Sequence, residues 1–360
     1  MEDRQKAFSG VMPPKEGLEI DSKALDRYLS AYVHGYAGPA EVVQFRGGQS
    51  NPTYRIDTPR KRYVLRRKPP GKLLQSAHAV DREYRVITAL AETDVPVPRT
   101  YLLCEDPEVI GTPFFVMDCM EGRIFWDSAL PGLEPKERRE IYLFMNKTIA
   151  SLHNVDFEAL GLSDYGKPGN YIARQAARWT KQYRASETEE IPEMNRLIEW
   201  LPQHIPESDE TSIVHGDFRI DNLVFHPKEP RIIAILDWEL STLGDPRADF
   251  SYHGMIYQMP RDIFNGIAGI DLRSLGIPEE EEYISAYCRR TGRQTIENWR
   301  YYHAYNMFRL AAILQGIVKR HIDGTAASKQ AEEMGRMARP LAELGWSQVE
   351  KLLEDSKRQK

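Results

Sequence analysis

The segment Val214-His-Gly-Asp217-Phe-Arg-Ile-Asp-Asn222-Leu-Val-Phe225 decides the fold of this chain. It places an aspartate and an asparagine five positions apart between two short apolar runs, which the pattern predicts as buried strands. Fifteen residues after Asn222, Asp237 follows the apolar run 232–236. Carboxylate and amide oxygens at neighbouring strand ends suit a hard cation such as Mg²⁺, which is commonly shared with substrate phosphates. The segment therefore predicts a magnesium site that handles phosphate.

The same segment resembles a known family. The order His-x-Asp-x-x-x-x-Asn followed by Asp is the catalytic signature of the protein-kinase-like phosphotransferases. Leu236-Asp-Trp-Glu239 and Leu243-Gly-Asp-Pro-Arg-Ala-Asp-Phe250 are similar to the aminoglycoside phosphotransferase and choline kinase branch. Within that branch, Phe45–Tyr54 and Tyr63–Gly71 resemble the kinase-like domain at the amino end of some acyl-CoA dehydrogenase family proteins, and its free-standing bacterial relatives. The resemblance covers roughly residues 40–340.

The resemblance implies a role for each residue of the motif. Asp217 matches the catalytic aspartate, which orients the substrate hydroxyl and accepts its proton. Asn222 and Asp237 match the two metal-binding positions, and His215 would brace the loop. Arg219 falls where protein kinases often carry a lysine that touches the γ-phosphate, so its charge would stabilise the transferring phosphoryl group. The resemblance also implies that ATP and Mg²⁺ are the cofactors.

The loop before the second strand is the candidate phosphate grip. Backbone amides between two strands can approach phosphate oxygens, and two side chains there could add donors. An ordinary hairpin turn is the alternative interpretation of the glycine pair, and the resemblance favours phosphate binding. The residues are Gly47, Gly48, Ser50 and Asn51.

Arg66 ends the third strand, at the position where the related kinases usually have a lysine. An arginine can pair with the α- and β-phosphates through two nitrogens. We therefore expect Arg66 to bind the nucleotide phosphates as the lysine would, but with a different geometry. Arg67 and Lys68 are neighbouring alternatives, although Arg67, like Arg62, is expected to be solvated. Glu83 lies near the apolar stripe of its helix, where a buried acid needs a cation, so we expect it to pair with Arg66.

Two further segments match the family around the nucleotide and the metal. The backbone at about Asp118 and Met120 matches the crossover that would hydrogen-bond adenine. Asp245 or Asp249, in the segment after the metal acid, could cap the next helix and brace the catalytic loop.

The pattern of apolar residues predicts an α+β chain with a small strand-rich lobe and a larger helical lobe, and the resemblance implies that these form a protein-kinase-like two-lobe fold. A period of two predicts strands at 42–46, 53–57, 62–66, 100–104 and 114–117, which short connections arrange as an antiparallel sheet. A helix at 21–35, with Leu25, Leu29 and Tyr32 on one face, and a main helix at 77–92 accompany them. Mainly helical sequence follows, at 134–153, 171–184, 245–258, 279–291, 295–320 and 326–344.

These patterns, together with the resemblance, predict four regions along the chain. Residues 1–20 form a tail, 21–117 a small nucleotide-binding N-lobe with one main helix, 118–122 a hinge, and 123–360 a larger helical C-lobe that carries the catalytic loop and the acceptor-binding helices. A cleft between two such lobes is the usual place for a small-molecule site.

Composition excludes several other classes. The 360 residues are 41% hydrophobic and 28% charged, with a formal charge of −5, which disfavours a nucleic-acid partner. No apolar run approaches the ~18 residues of a membrane span, so no membrane partner is expected. The three cysteines (Cys104, Cys119, Cys288) form no metal-ligand spacing and are typical of the reducing cytoplasm. Phosphate-binding Gly-x-x-x-x-Gly-Lys loops, nucleophile elbows and zinc helices have no match.

The sequence thus predicts a small-molecule kinase whose acceptor is a hydroxyl compound. The resemblance suggests a hydroxyacyl-CoA or a hydroxy acid, and an aminoglycoside or amino alcohol is an alternative. A second hypothesis is a nucleotide-binding regulatory protein without turnover, which Arg66 in place of lysine keeps open. A protein Ser/Thr kinase is disfavoured because Asp237 is followed by Trp-Glu-Leu rather than Phe-Gly.

Overall fold

The computed structural model describes residues 10–46, 51–70, 79–207, 210–324 and 334–358. The chain divides into two compact units, and each unit is built from three separate segments of the sequence. The first unit combines Met1–Trp126 with Phe157–Ser163 and Ile220–Ser241. The second unit combines Asp127–Asp156, Asp164–Arg219 and Thr242–Lys360. The chain therefore passes from the second unit to the first between Arg219 and Ile220, within the predicted catalytic motif.

A six-stranded antiparallel sheet forms the body of the first unit. Its spatial order is β1-β2-β3-β4-β6-β5. The strands are β1 Val11–Met12, β2 Glu41–Phe45, β3 Thr53–Asp57, β4 Arg62–Arg67, β5 Thr100–Cys104 and β6 Phe114–Asp118. Five of the six match the predicted strands, and β1 adds a short strand in the segment 1–20, where the sequence shows no clear period.

The two faces of the sheet carry different helices. On one face, Leu65 of β4 joins an apolar cluster with α1 (Ser22–Tyr32), which buries Leu25 and Leu29. The α2 helix (Val80–Leu90) contacts β5 and β6 and buries Glu83 among its apolar residues. The prediction that Tyr32 joins the buried stripe of α1 is wrong, because its side chain is 66% exposed. Tyr32 lies in the last turn of α1, and its ring lies 4.5 Å from the Tyr28 ring at a tilt of 39°.

A short hairpin from later in the chain completes the first unit. Its strands, β8 (Leu223–Phe225) and β9 (Ile232–Ile235), pair antiparallel with Leu223 opposite Ile235. The Ile235 amide donates to the Pro96 carbonyl at 2.9 Å, and Arg123 exchanges two backbone hydrogen bonds with Phe225 at 2.8 Å each. These bonds fix the hairpin to the part of the unit that precedes it in the chain by about a hundred residues.

The second unit is mainly helical. Its helices are α3 Pro135–His153, α4 Tyr171–Ser186, α5 Pro192–Trp200, α6 Pro246–Gly254, α7 Leu272–Leu275, α8 Glu280–Thr291, α9 Trp299–Ile322 and α10 Ala338–Arg358. The sequence did not predict α5, and α6 is shorter than the predicted 245–258 because a 3₁₀ turn follows it at Met255–Gln258. The last predicted helix, 326–344, falls partly outside the described residues, and α10 extends beyond its predicted end.

A two-stranded ribbon positions the segment that contains His215 and Asp217 within this unit. β7 (Ser212–Val214) pairs with β10 (Thr242–Gly244), so Val214 leads directly into His215. The buried α9 helix contacts α4, α6 and α10 and forms the centre of the unit. Among the described residues, every helix is too short or too polar to cross a membrane.

Candidate active site

The β8–β9 hairpin brings Asn222 and Asp237 together. Because Leu223 pairs with Ile235, Asn222 lies opposite Leu236, and the Leu236 amide donates to the Asn222 carbonyl at 2.8 Å. Asp237 is the next residue, with a left-handed backbone (φ 67°, ψ 61°) that few side-chain-bearing residues adopt. That turn ends the strand and places a carboxylate one position beyond the Asn222–Leu236 pair.

These two residues offer oxygen donors that fit Mg²⁺. A carboxylate and an amide are hard ligands, and magnesium needs few protein ligands because it keeps waters and shares substrate phosphates. Within the described ranges, no group of three or more His, Cys, Asp or Glu side chains is arranged to hold a metal by itself. A site of this kind would therefore depend on phosphate oxygens as well as on the protein.

Arg66 connects three carboxylates in the first unit. Its Nε lies 3.0 Å from Glu83 Oε2, and its Nη2 lies 2.6 Å from Asp237 Oδ1 and 3.4 Å from Glu239 Oε2. The Arg66 side chain is only 10% exposed. The sequence predicted the pairing with Glu83, and the structure adds the contacts with Asp237 and Glu239.

The electrostatics of this cluster follow from one buried cation among three acids. Burial disfavours the Arg66 cation, but the carboxylates of Glu83, Asp237 and Glu239 outweigh that effect and raise its pKa. Burial also raises the pKa of Glu83 above its usual range, and Arg66 opposes that rise. The cluster is therefore held together by charge, and Arg66 is its single guanidinium.

The neighbours of Arg66 on β4 face other partners. Arg67 points to the other side of the strand, where its Nε donates to Thr112 Oγ1 at 2.8 Å. The expectation that Arg67 is solvated is wrong, because it is only 4% exposed. Lys68 Nζ lies 3.8 Å from Asp81 Oδ1. Neither residue pairs with Glu83 in the part of the chain that the structure describes, which leaves Arg66 as the candidate phosphate grip.

The predicted phosphate loop lies mostly outside the described residues. Gly47, Gly48 and Ser50 are not described. Asn51 is fully buried, and its Nδ2 donates to Glu83 Oε1 at 2.9 Å. In this structure Asn51 therefore braces the acid that pairs with Arg66.

The predicted adenine segment follows β6. The Asp118 amide donates to the Arg99 carbonyl at 2.8 Å, and the Asp118 carboxylate accepts from Tyr101 and pairs with Lys61. Met120 lies two residues beyond the strand and is half-buried. Of the Asp118 backbone groups, the amide is engaged within the protein.

Asp217 lies in the second unit, and one of its carboxylate oxygens contacts a hydroxyl donor and a guanidinium cation. The Tyr252 hydroxyl, from α6, donates to Asp217 Oδ1 at 2.6 Å, and Arg219 Nε lies 3.1 Å from the same oxygen. The Asp217 amide donates to His215 Nδ1 at 3.2 Å, which places His215 where a loop brace would be. Burial alone would raise the Asp217 pKa, but Arg219, Tyr252 and nearby cations lower it below its usual value. Asp217 is therefore held as a carboxylate that can accept a proton.

The sequence predicted that Asp245 or Asp249 caps the next helix and braces the loop of Asp217. In the structure each residue performs one of these tasks. Asp245 caps α6, accepting from the Arg247 amide at 2.9 Å. Asp249 accepts from the amides of His215 and Gly216 at 2.8 Å each, and His153 contacts the same carboxylate. Gly216 has a φ of 80°, a conformation that favours glycine. The loop that holds Asp217 is thus fixed from α6.

Sequence reasoning missed Tyr252 and Arg309. Tyr252 follows Asp249 by three positions and so lies on the same face of α6, a spacing that could have indicated a second contact with the loop. Arg309 interrupts a buried apolar stretch of α9, and its Nη2 donates to the Gly216 carbonyl at 2.7 Å. A cation within such a stretch needs a partner, which was the available signal.

The chain is similar to proteins of a known family. The sequence model of the phosphotransferase enzyme family matches residues 41–312. Acyl-CoA dehydrogenase family member 10 from Mus musculus is 49% identical over 337 residues, which cover 93% of this chain and 32% of that protein. The chain thus spans about a third of the length of this curated relative.

Two crystal structures show the same fold. One, from Ralstonia eutropha JMP134 and provisionally described as an aminoglycoside phosphotransferase, has a TM-score of 0.86 and 54% identity and covers 92% of this chain and 99% of that chain. The other, a thermostable variant of aminoglycoside phosphotransferase APH(4)-Ia with AMP-PNP and hygromycin B, has a TM-score of 0.58, 14% identity and coverage of 90% and 98%. The chain therefore belongs to the phosphotransferase enzyme family, has the α+β protein-kinase-like fold, and is related to the kinase-like region of acyl-CoA dehydrogenase family proteins.

Proposed function

We propose that the protein is an ATP-dependent phosphotransferase that transfers the γ-phosphate to a hydroxyl of a small molecule. The observation that carries the proposal is the β8–β9 hairpin, which sets Asn222 beside Asp237 with Arg66 on the Asp237 carboxylate. Membership of the phosphotransferase enzyme family supports the same reaction. Two oxygen donors and a buried guanidinium are the groups that a nucleotide triphosphate and its metal require.

In this proposal each residue has one task. Asn222 and Asp237 would hold Mg²⁺, which neutralises charge on the phosphates when bound. Arg66 pairs with phosphate oxygens, and Arg219 stabilises the transferring group. Asp217 orients the acceptor hydroxyl and takes its proton while the oxygen bonds to phosphorus and the bond to ADP breaks. Positioning and charge stabilisation supply the rate enhancement, so no covalent enzyme intermediate is needed.

The nucleotide would bind residues of the predicted N-lobe, 21–117, and hinge, 118–122. Gly47, Gly48, Ser50 and Asn51 contact phosphates in this proposal, and the backbone at Asp118 and Met120 contacts adenine. A relative of the same fold crystallised with AMP-PNP supports ATP as the donor. A cytoplasmic location is part of the proposal, supported by the free thiols of Cys104, Cys119 and Cys288.

The acceptor in this proposal is a hydroxyacyl-CoA or a hydroxy acid. The name of the Mus musculus relative supports an acyl compound. The Arg219 cation beside Asp217 also favours an anionic acceptor over a polycation. An aminoglycoside or an amino alcohol is the competing acceptor, supported by the description of the Ralstonia eutropha protein.

The test is a γ-phosphate transfer screen with purified protein, ATP and Mg²⁺. The acceptors are hydroxyacyl-CoAs, hydroxy acids, amino alcohols and aminoglycosides, and Asp217→Asn is the control because it keeps the shape of the side chain. We expect the wild type to phosphorylate an anionic acceptor in a Mg²⁺-dependent reaction. We expect Asp217→Asn to lower kcat by about 1,000-fold or more. Wild-type turnover in that variant would contradict the role of Asp217.

A nucleotide-binding regulatory protein without turnover is the second candidate. The observation that favours it is Arg66, which replaces the usual lysine and already contacts three carboxylates. Saturable ATP binding measured by calorimetry, with no transfer to any acceptor in the screen, would support this candidate over the first.

A further inference from the structure

A buried stack in the second unit connects α9, α6 and the catalytic loop. Arg309 of α9 lies over the Tyr252 ring, with its guanidinium carbon 5.0 Å from the ring centroid. The Tyr252 hydroxyl donates to Asp217 Oδ1 at 2.6 Å. Arg309 also donates to the carbonyl of Gly216, the residue before Asp217, at 2.7 Å. The catalytic aspartate is thus contacted through its side chain and through its neighbouring peptide by one connected set of residues.

The hydrogen bond from Tyr252 restricts the orientation of the Asp217 carboxylate. Rotation about the carboxylate torsion is broad when no donor fixes it. Here the Tyr252 hydroxyl and Arg219 Nε both address Oδ1. Because the hydroxyl donates to this oxygen and the Arg219 cation lies 3.1 Å from it, these two groups set the plane of the carboxylate and the direction of Oδ2. A base held in one orientation loses less entropy when the reacting hydroxyl binds.

Arg309 holds Tyr252 in place from beneath. Its side chain is only 5% exposed, and its guanidinium also lies 5.7 Å from the Trp179 ring centroid. Burial disfavours the Arg309 cation, but neighbouring tyrosines and the Asp217 carboxylate outweigh that effect and raise its pKa. Aromatic faces and a backbone carbonyl therefore stabilise this buried cation, which makes the Tyr252 ring part of its environment.

We propose that Tyr252 is a positioning residue for phosphoryl transfer, which fixes the Asp217 carboxylate and is itself held by Arg309. This inference rests on the proposed phosphotransferase function and adds to it two residues outside the family motif. Tyr252 touches the base and not the transferred group, so it acts through Asp217. An ordinary core tyrosine would instead contribute only to packing.

The test compares Tyr252→Phe with Tyr257→Phe. Tyr257 is a matched control because it is a buried tyrosine five residues later that donates to the Pro278 carbonyl at 2.9 Å. We expect Tyr252→Phe to lower kcat by about 10- to 100-fold, which is the effect of losing one hydrogen bond to a charged group. The KM for ATP and the KM for the acceptor should both stay within about twofold of wild type. We expect Tyr257→Phe to keep wild-type kcat.

Two further measurements separate positioning from packing. The acid limb of the kcat–pH profile should move to higher pH in Tyr252→Phe, because the hydroxyl favours the ionised carboxylate. Arg309→Lys should lower kcat by itself, and the double variant should be no slower than the slower single variant, because both act through the same carboxylate.

The outcomes distinguish this inference from the proposed function. A Tyr252→Phe variant with the kcat of Tyr257→Phe, or with a changed acceptor KM at unchanged kcat, overturns the positioning role alone. Absence of transfer by the wild type to every acceptor overturns the proposed function itself. Circular dichroism and the thermal midpoint of each variant establish that a lost rate does not come from unfolding.

Discussion

At the scale of single residues, Arg66 shows what an arginine does that a lysine does not. Its two nitrogens, Nε and Nη2, reach different acids, Glu83 and Asp237. A lysine carries its three donors on one nitrogen, so it could bind both carboxylates only if they met around a single point. The arginine therefore links α2 to Asp237, two positions after β9.

Replacing Arg66 by methionine should destabilise the protein strongly. The change leaves Glu83 buried without its cation, which typically costs about 3–5 kcal/mol of unfolding free energy. Urea denaturation followed by fluorescence measures the loss.

The matched control is Arg62→Met on the same strand. Arg62 is half-exposed and pairs with the exposed Glu121, so its replacement should change the free energy of unfolding by about 0.5 kcal/mol or less. Equal stabilities of the two variants would show that the Arg66 cluster contributes nothing beyond a surface pair.

The same residue shows what the sequence predicts and what it omits. A buried acid on a helix and a cation at a strand end predict the Glu83 pair from local pattern alone. The contacts with Asp237 and Glu239 join residues more than 170 positions apart, and no periodicity encodes such a distance. The burial of Arg67 was not predicted either. An arginine that is solvated at a sheet edge and an arginine that is buried against Thr112 have the same local sequence pattern.

At the scale of elements, α6 supports the Asp217 loop through one face. Asp245, Asp249 and Tyr252 follow a spacing of four and then three residues, which places them on one side of a helix. The first residue caps the helix, the second binds the loop amides, and the third contacts Asp217. The Gly-Asp-Pro sequence predicted the start of α6, but the division of tasks required the structure.

Replacing the N-cap residue of α6, Asp245, should destabilise this helix. Asp245→Ala loses the hydrogen bond from the Arg247 amide and the ion pair with Arg247, so we expect a loss of about 1–2 kcal/mol of unfolding free energy. Asp245→Asn keeps a cap acceptor and should lose less. The comparison uses thermal and urea unfolding, and equal losses in both variants would assign the effect to charge instead of capping.

At the scale of the whole molecule, buried histidine links stability to pH. Burial lowers the pKa of His253 to about 4 from its ordinary value of 6.5. Its Nε2 lies 2.7 Å from the Tyr283 hydroxyl, and the residue is only 3% exposed. Between pH 6.5 and 4 the unfolded chain binds a proton that the folded chain does not, so stability falls as pH falls.

Unfolding free energy should therefore decrease by about 2 kcal/mol between pH 7.5 and pH 5 from this residue alone. His253→Gln removes the titrating group and should show a correspondingly smaller decrease over the same range. Urea denaturation at the two pH values measures both slopes. An unchanged slope in His253→Gln would mean that other groups dominate the pH dependence.

The discontinuous first unit has a consequence for how the protein is made. A ribosome releases the first 126 residues well before Ile220–Ser241, which belong to the same unit. At roughly 10 residues per second, about ten seconds of synthesis separate the two. During that time the sheet lacks the hairpin that donates to Pro96 and pairs with Arg123. The nascent chain therefore emerges with an unfinished apolar surface, and chaperones that bind such surfaces have a defined interval in which to act on it.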